Sequence, residues 1–417
     1  MKALSIILLL FILQASSCNR EEPVIIKNNE GVITSKAPNW STSISDNNQY
    51  AAGVRNNIKY NTTVVIGSIE NGKNGLSGIN VTNGEKLWTW QDNFPNYTLD
   101  IVGSYTFNNN LIWDEGRNLY WVDLETGTTI WKKRYDLDEV PWLKNVNGLG
   151  ESTFLNAVYS PYLVEDKPTF VKIYSVSTMS SELIELDSIG SDNPTINHDT
   201  SQIGVFKSAN GDTLIFVDTY EVLIDGRTYL SLYNLSKKKW VYKKKETYLQ
   251  AGVRARPKLF NEVVYFAADP FIVAVDLMSG EIVWKRAFDN ASFFDSGFII
   301  VPEKNLIVVN AMQSTTTLYA LDLTTGQTVW SEPSSGTSSH LQYLNGVVYF
   351  VGGGDGLLHA VDIETGKHHW KISSPDLAVN SNAWFARYCA VFPGEDGKKG
   401  KVVVSSGLHA FAYEAER

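Results

Sequence analysis

ALDLTTGQTVW, Ala320 to Trp330, holds an aspartate, a glycine four residues later and a tryptophan four residues after that. The same spacing stands in GINVTNGEKLW ending at Trp88 (with Asn80 for the aspartate), WVDLETGTTIW at Trp131, AVDLMSGEIVW at Trp284 and AVDIETGKHHW at Trp370. Ahead of the acid, Leu318, Ala320 and Asp322 alternate with Tyr319 and Leu321, the period-two pattern of a strand. The Asp or Asn side-chain oxygen can accept from backbone amides of a turn. Gly127, Gly280, Gly326 and Gly366 supply a residue that tolerates positive φ. The chain then reverses into a second strand ending at the tryptophan, so each motif is a β-hairpin. One hairpin cannot bury its own apolar faces, whereas sheets stacked side by side around an axis can. Recurrence at intervals of roughly 40 to 60 residues predicts propeller blades.

Weaker copies fill the gaps. NLSKKKWVY keeps Asn234 in phase but has Lys238 for the glycine and Tyr242 for the tryptophan, and Val171 to Leu186 keeps only the alternation. GLHAFAYEAER matches LLHAVDIETGK through Leu408, His409 and Ala410 and then lacks an outer strand, for which Gly31 to Trp40 is the expected donor. Closing a ring in this way removes an exposed sheet edge. The expected fold is all-β: an eight-bladed β-propeller whose last blade is closed by an N-terminal strand.

The Ala-x-Asp-x-x-Thr-Gly-x-x-x-Trp pattern resembles the tryptophan-docking repeat of pyrroloquinoline-quinone (PQQ) type propellers, and so does Asn345 to Asp362 upstream of it. The resemblance implies that Trp88, Trp131, Trp284, Trp330 and Trp370 pack between neighbouring blades. It also implies a test for enzymology, because PQQ-dependent dehydrogenases cover their cofactor with a vicinal disulfide and hold it with calcium-binding acids. Here Cys18 and Cys389 are the only cysteines and no such acid set aligns. PQQ and calcium are therefore not expected as cofactors, and no catalytic or metal site is assigned.

The N-terminus fixes a compartment. Met1 and Lys2 precede an apolar run from Leu4 to Leu13, short of the roughly 20 residues that span a bilayer but suited to a signal peptide over residues 1–17. Ala15, Ser16 and Ser17 lead into Cys18, which resembles a bacterial lipobox and implies an acylated (palmitate-type) cysteine. An ordinary signal peptide cut near Cys18 is the alternative. Residues 18–30 then read as a tether and 31–417 as one propeller domain. A composition of 43% apolar and 12% aromatic residues suits a large β core, and a net charge of −9 argues against nucleic-acid binding.

Catalytic patterns are wanting: there is no Gly-x-Ser-x-Gly elbow, no phosphate-binding loop and no Cys-x-x-Cys. VGGGDG, Val351 to Gly356, reads as a tight hairpin. His368 and His369 are neighbours on a strand and point to opposite faces, while His359 and His409 take the place of Tyr120 and Tyr319 and read as packing residues. SKKKWVYKKKE puts Lys237, Lys238, Lys239, Lys243, Lys244 and Lys245 on an outermost strand, where they either prevent edge pairing or dock an acidic partner or anionic lipid headgroups. The tetrapeptide Ala-Gly-Val-Arg occurs at Ala52 to Arg55 and Ala251 to Arg254, beside expected inner strands. Arg55, Arg254, Arg256 and Arg387 are candidate anion-binding residues of a central channel; the alternative is that each pairs with a neighbouring acid or carbonyl.

These features predict a non-catalytic, monomeric interaction scaffold, held in the bacterial cell envelope as an outer-membrane lipoprotein. The resemblance points to the lipoprotein subunit of the outer-membrane barrel-assembly machinery, and so to an outer-membrane barrel protein as partner. A PQQ-dependent or other ligand-binding enzyme domain is the alternative. So is a cell-surface glycan-binding protein using Trp142, Trp384 and Phe385.

Overall fold

In the computed structural model residues 252–417 are described without a break. Before them the described residues are 26–27, 32–46, 58–94, 101, 104–107, 109–115, 118–134, 143–150, 153–158, 170–175, 181–185, 198–199, 203–221, 227–247 and 249. The expected signal peptide, Cys18, Arg55 and Trp142 lie outside them.

The hairpin chemistry of the repeat sets the local structure. Asp322 Oδ1 accepts the backbone N–H groups of Thr324 (3.0 Å) and Thr325 (2.7 Å) and the Thr325 hydroxyl (2.9 Å). Gly326, at φ 70°, closes the turn by donating to the Asp322 carbonyl at 2.8 Å. Asp123 and Asp362 repeat these carboxylate contacts. Asn234 keeps one of them, from Lys237 N–H at 2.8 Å, and Lys238 takes the left-handed conformation (φ 50°) that glycine holds elsewhere.

Antiparallel strands joined by hairpins build the sheets, and the sheets follow the chain around a β-propeller. Seven have their successive antiparallel strands from one run of chain, within residues 59–90, 104–134, 143–185, 198–246, 258–287, 298–333 and 342–372, the last extended by two short N-terminal strands. The ring thus has seven blades made this way, not the eight expected. The remaining sheet is a closure of different construction: Cys389–Phe392, Lys401–Ser405 and His409–Glu414 are joined by Trp40–Ser43.

The donor strand is also corrected, from Gly31–Trp40 to Trp40–Ser43. Ile33–Ser35 instead runs parallel to His368–Ile372, with Ile33 opposite Trp370, and Ile26–Lys27 pairs onto it. The reason is positional. In four blades the repeat tryptophan faces a small residue across its own sheet (Gly78 for Trp88, Ala274 for Trp284, Ala320 for Trp330, Ala360 for Trp370), while Trp131 faces Trp121. Only a strand starting at Trp40 puts its indole opposite Ala412 in the same way.

Three of these indoles reach a backbone carbonyl of the next blade. Trp88 Nε1 donates to the Leu124 carbonyl at 2.8 Å, Trp284 to Leu323 at 3.1 Å and Trp330 to Ile363 at 2.7 Å. Trp40 does the same with Val81 at 2.8 Å. Buried apolar side chains fill the seams on either side of the closing sheet: its Ala390, Val403 and Ala412 join Val65, Leu76 and Trp90 of the first blade in one core. Tyr349, Trp370 and Val404 join blade seven to the closure. Each large side chain buried there contributes about 1.5–3 kcal/mol, so the ring is held seam by seam.

Candidate functional site

Meander topology sorts the loops. The link from one blade's outer strand to the next blade's inner strand emerges at the same end as the link between the second and third strands. Bridges tie the two kinds together at this end: Val253 with Ala268, Ser292 with Met312, and Thr337 with Gly352. Among the described residues four exposed large apolar side chains stand on it, Phe294 (53% exposed), Met312 (44%), Val379 (81%) and Trp384 (45%). Leu87, Ile130, Val283 and Val329, also exposed, instead sit beside the docking tryptophans on outer strands.

Polar groups of the same face are fixed by short contacts. Arg254 Nε lies 3.3 Å from Asp269 Oδ2, and Asp269 Oδ1 accepts Phe293 N–H at 2.9 Å. Arg256 donates its backbone N–H to Asp295 at 2.7 Å. Burial pushes the Asp295 carboxyl up, but the charges of Lys258, Arg256 and His340 outweigh it and hold the group below the usual carboxylate range. Lys258, on the inner strand Lys258–Phe260, is itself lowered by burial, with Asp295 opposing. Arg254 and Arg256 are therefore neighbours ahead of one inner strand, each against a carboxylate. Arg387 is exposed on another loop, its N–H 3.4 Å from Ser338 Oγ.

Next to it, Ser338, Gly352, Gly353, Gly354, Gly356, Trp384, Phe385 and Ala386 line a cleft of about 310 Å³. VGGGDG is a hairpin there, closed by Gly352 N–H to the Leu357 carbonyl at 2.9 Å. A Cβ on Gly352 would lie 2.0 Å from Asp355 Oδ1, so the glycine leaves room for a side-chain chain behind the cleft. In that chain Ser335 Oγ donates to Asp355 at 2.6 Å, Asp355 meets His359 Nε2 at 3.2 Å, and His359 Nδ1 meets His368 Nε2 at 3.1 Å. Burial raises the Asp355 carboxyl, yet the His359 and Ser335 contacts more than reverse this. Burial, with Lys371 adding, pushes His368 down to about 3.

His359 does pack, stacked on Phe350 at 4.6 Å, but its hydrogen-bonded chain was not visible in the linear spacing. The same is true of His409, whose Nδ1 lies 2.9 Å from Asp376, the acid that also accepts Ser406 Oγ. Ser406 bonds the acid rather than the imidazole, so the three do not form a nucleophile–base pair. Of the aromatic residues considered for glycan contact, Phe385 is buried against Phe411 and Tyr413, while Trp384 is open. Among the described residues no group of three or more His, Cys, Asp or Glu side chains is arranged to hold a metal ion.

Residues 236–407 match the family model described as outer membrane protein assembly factor BamB. The chain is a PQQ-like repeat β-propeller resembling BamB. Among solved structures, Saccharomyces cerevisiae Sqt1 aligns at TM-score 0.62 and 11% identity, over 90% of this chain and 99% of that one. The quinohemoprotein alcohol dehydrogenase from Comamonas testosteroni aligns at 0.60 and 10%, over 91% of this PQQ-like propeller and 76% of the enzyme. BamB from Moraxella catarrhalis aligns at 0.37 and 10%, over 85% and 80%, too loosely to place residues. No curated protein matches the sequence. At these identities the structural likeness speaks for the fold alone. It includes an enzyme and does not settle whether this chain is one.

Proposed function

We propose that this PQQ-like propeller is a non-catalytic interaction scaffold of the bacterial cell envelope, working without PQQ or calcium and tethered to the outer membrane through Cys18. The observation that carries the reading is the loop face: among the described residues Phe294, Met312, Val379 and Trp384 stay exposed together at one end, whereas the exposed Leu87, Ile130, Val283 and Val329 are spread one to a blade along outer strands. Exposed apolar groups gathered at one end mark a surface for a protein partner. The BamB family match over residues 236–407 supports an envelope setting and an outer-membrane barrel protein as that partner. Arg254, Arg256 and Arg387 would frame the contact, and with Arg55 they carry the secondary reading of an anion site, in which Asp269 and Asp295 are competitors already in place.

The test is co-purification from gently solubilised membranes with wild-type protein, Cys18→Ala and the double variant Met312→Glu/Trp384→Glu. A barrel protein recovered with wild type and lost with the loop-face variant at unchanged melting temperature is the expected result. Equal recovery with the loop-face variant would overturn the assignment of the face. Saturable PQQ binding by the purified protein would overturn the non-catalytic reading.

A further inference from the structure

The opposite end of the ring carries a second feature, at the seam between the blades of residues 198–246 and 258–287. Where regular seams are filled by an indole, Tyr242 meets Gly280, a Cβ on which would lie 2.9 Å from the phenol ring. Beside it the seam opens into a groove of about 520 Å³. Leu214, Trp240, Val241 and Met278 give the groove apolar walls, and Met278 is 46% exposed.

The groove is bordered by the lysine-rich turn and outer strand. Lys237, Lys238, Lys239, Lys243, Lys244 and Lys245 fall within nine residues of a chain whose net charge is −9, so the patch opposes the charge of the whole molecule. Lys237 pairs with Asp212 at 2.6 Å and Lys245 with Glu281. Lys238 and Lys239 are exposed, and among the described residues no carboxylate pairs with either. Edge protection does not require this many charges. Register shifts between Leu230 and Tyr233, with Lys244 at φ 50°, already spoil the strand for pairing.

We propose that this groove docks an acidic peptide segment of a partner protein, which inserts a large apolar side chain between the groove walls while its carboxylates meet Lys238 and Lys239. Opposite charge steers such a segment to the patch, and the concave apolar wall supplies the anchor. A flat layer of anionic headgroups would use the lysines but leave the groove unfilled, so the cavity favours the peptide.

The probe is a fluorescent peptide with a central Phe-Leu pair flanked by glutamates, followed by anisotropy. Controls replace Phe-Leu by Ser-Ser, or the glutamates by glutamine, and vesicles containing phosphatidylglycerol are assayed in parallel. The expected result is salt-sensitive binding of the full peptide, weakened about ten-fold by Lys238→Glu/Lys239→Glu and similarly by loss of the Phe-Leu pair. Met278→Gln, which makes the open wall of the groove polar at equal charge and similar size, weakens binding without touching the lysines. Melting curves confirm that both exposed-site variants fold. Binding unchanged in both variants, equal binding of the control peptides, or lysine-dependent vesicle binding without peptide binding would each overturn the proposal.

Discussion

Trp330 lays its indole on Gly366 of the following blade, so closely that a Cβ there would stand 2.7 Å from ring atom Cε3. The glycine is also at φ 75°, and the indole Nε1–H reaches the carbonyl of Ile363, three residues before it. The repeat glycine and the repeat tryptophan are thus one unit split across two blades.

Gly366→Ala therefore suffers twice, from left-handed backbone strain and from overlap with a packed ring. A loss of about 2–4 kcal/mol is expected, read as a lowered denaturation midpoint. Gly211→Ala is the internal control. Gly211 also has positive φ, but nothing lies within 4 Å of its added Cβ, so it should lose only the backbone part, about 1 kcal/mol.

Trp40 predicts a different failure. It docks the closing sheet onto Gly84, whose added Cβ would lie 2.7 Å from the ring, and donates to Val81. Trp40→Ala should cost about 2–4 kcal/mol. It should also expose the edge of His409–Glu414, so that amide exchange there rises before exchange at Val347–Val351. Uniform exchange across both strands would show that the closure is not the weak point.

How far the sequence alone reached follows from these two tryptophans. Trp330 was legible because aspartate, glycine and tryptophan lie within one hairpin at fixed spacing. Trp40 was not: its hairpin partner lies some 370 residues away at Ala412, and no local period links them, so the donor strand was placed too early. The His359–His368 contact was hidden for a related reason, since a register shift between Ala360 and Val361 re-aims the strand that bears His368. The exposed loop face was likewise outside the reach of periodicity, because loops carry none. Trp384 could be named as an aromatic in a loop, but only packing separates it from its buried neighbour Phe385.

His368 gives a pH test. Burial first, then Lys371 and His359, pushes its pKa down to about 3, against roughly 6.5 for an unfolded histidine. The unfolded chain takes up the proton first. The stabilisation is therefore complete above pH ~6.5 and is lost as pH falls toward about 3, by at most about 1.4 kcal/mol per unit. Asp355 adds its own loss only below the unfolded carboxylate range near 3.9, since its folded pKa is depressed. Between pH ~6.5 and ~4.5, His368→Gln should flatten the fall in melting temperature. An unchanged slope would assign the loss to other groups.

Tyr242 supplies the last test, and its sign is unusual. The residue stands where the repeat has tryptophan, with its ring against Gly280, and its hydroxyl is buried without a hydrogen-bond partner among the described residues. Burial, with Asp276 adding, holds the phenol proton on throughout the ordinary pH range. Removing a partnered hydroxyl costs about 1 kcal/mol, whereas removing an unsatisfied one relieves a desolvation penalty of similar size. Tyr242→Phe should thus leave stability unchanged or raise it by up to about 1 kcal/mol. Tyr242→Trp should raise it further if the indole reaches the Leu277 carbonyl, the counterpart of Leu323 in the Trp284 seam. A marked loss in Tyr242→Phe would mean that the hydroxyl is held by a bound water, and that this seam is closed by solvent where those of Trp88, Trp284 and Trp330 are closed by indole.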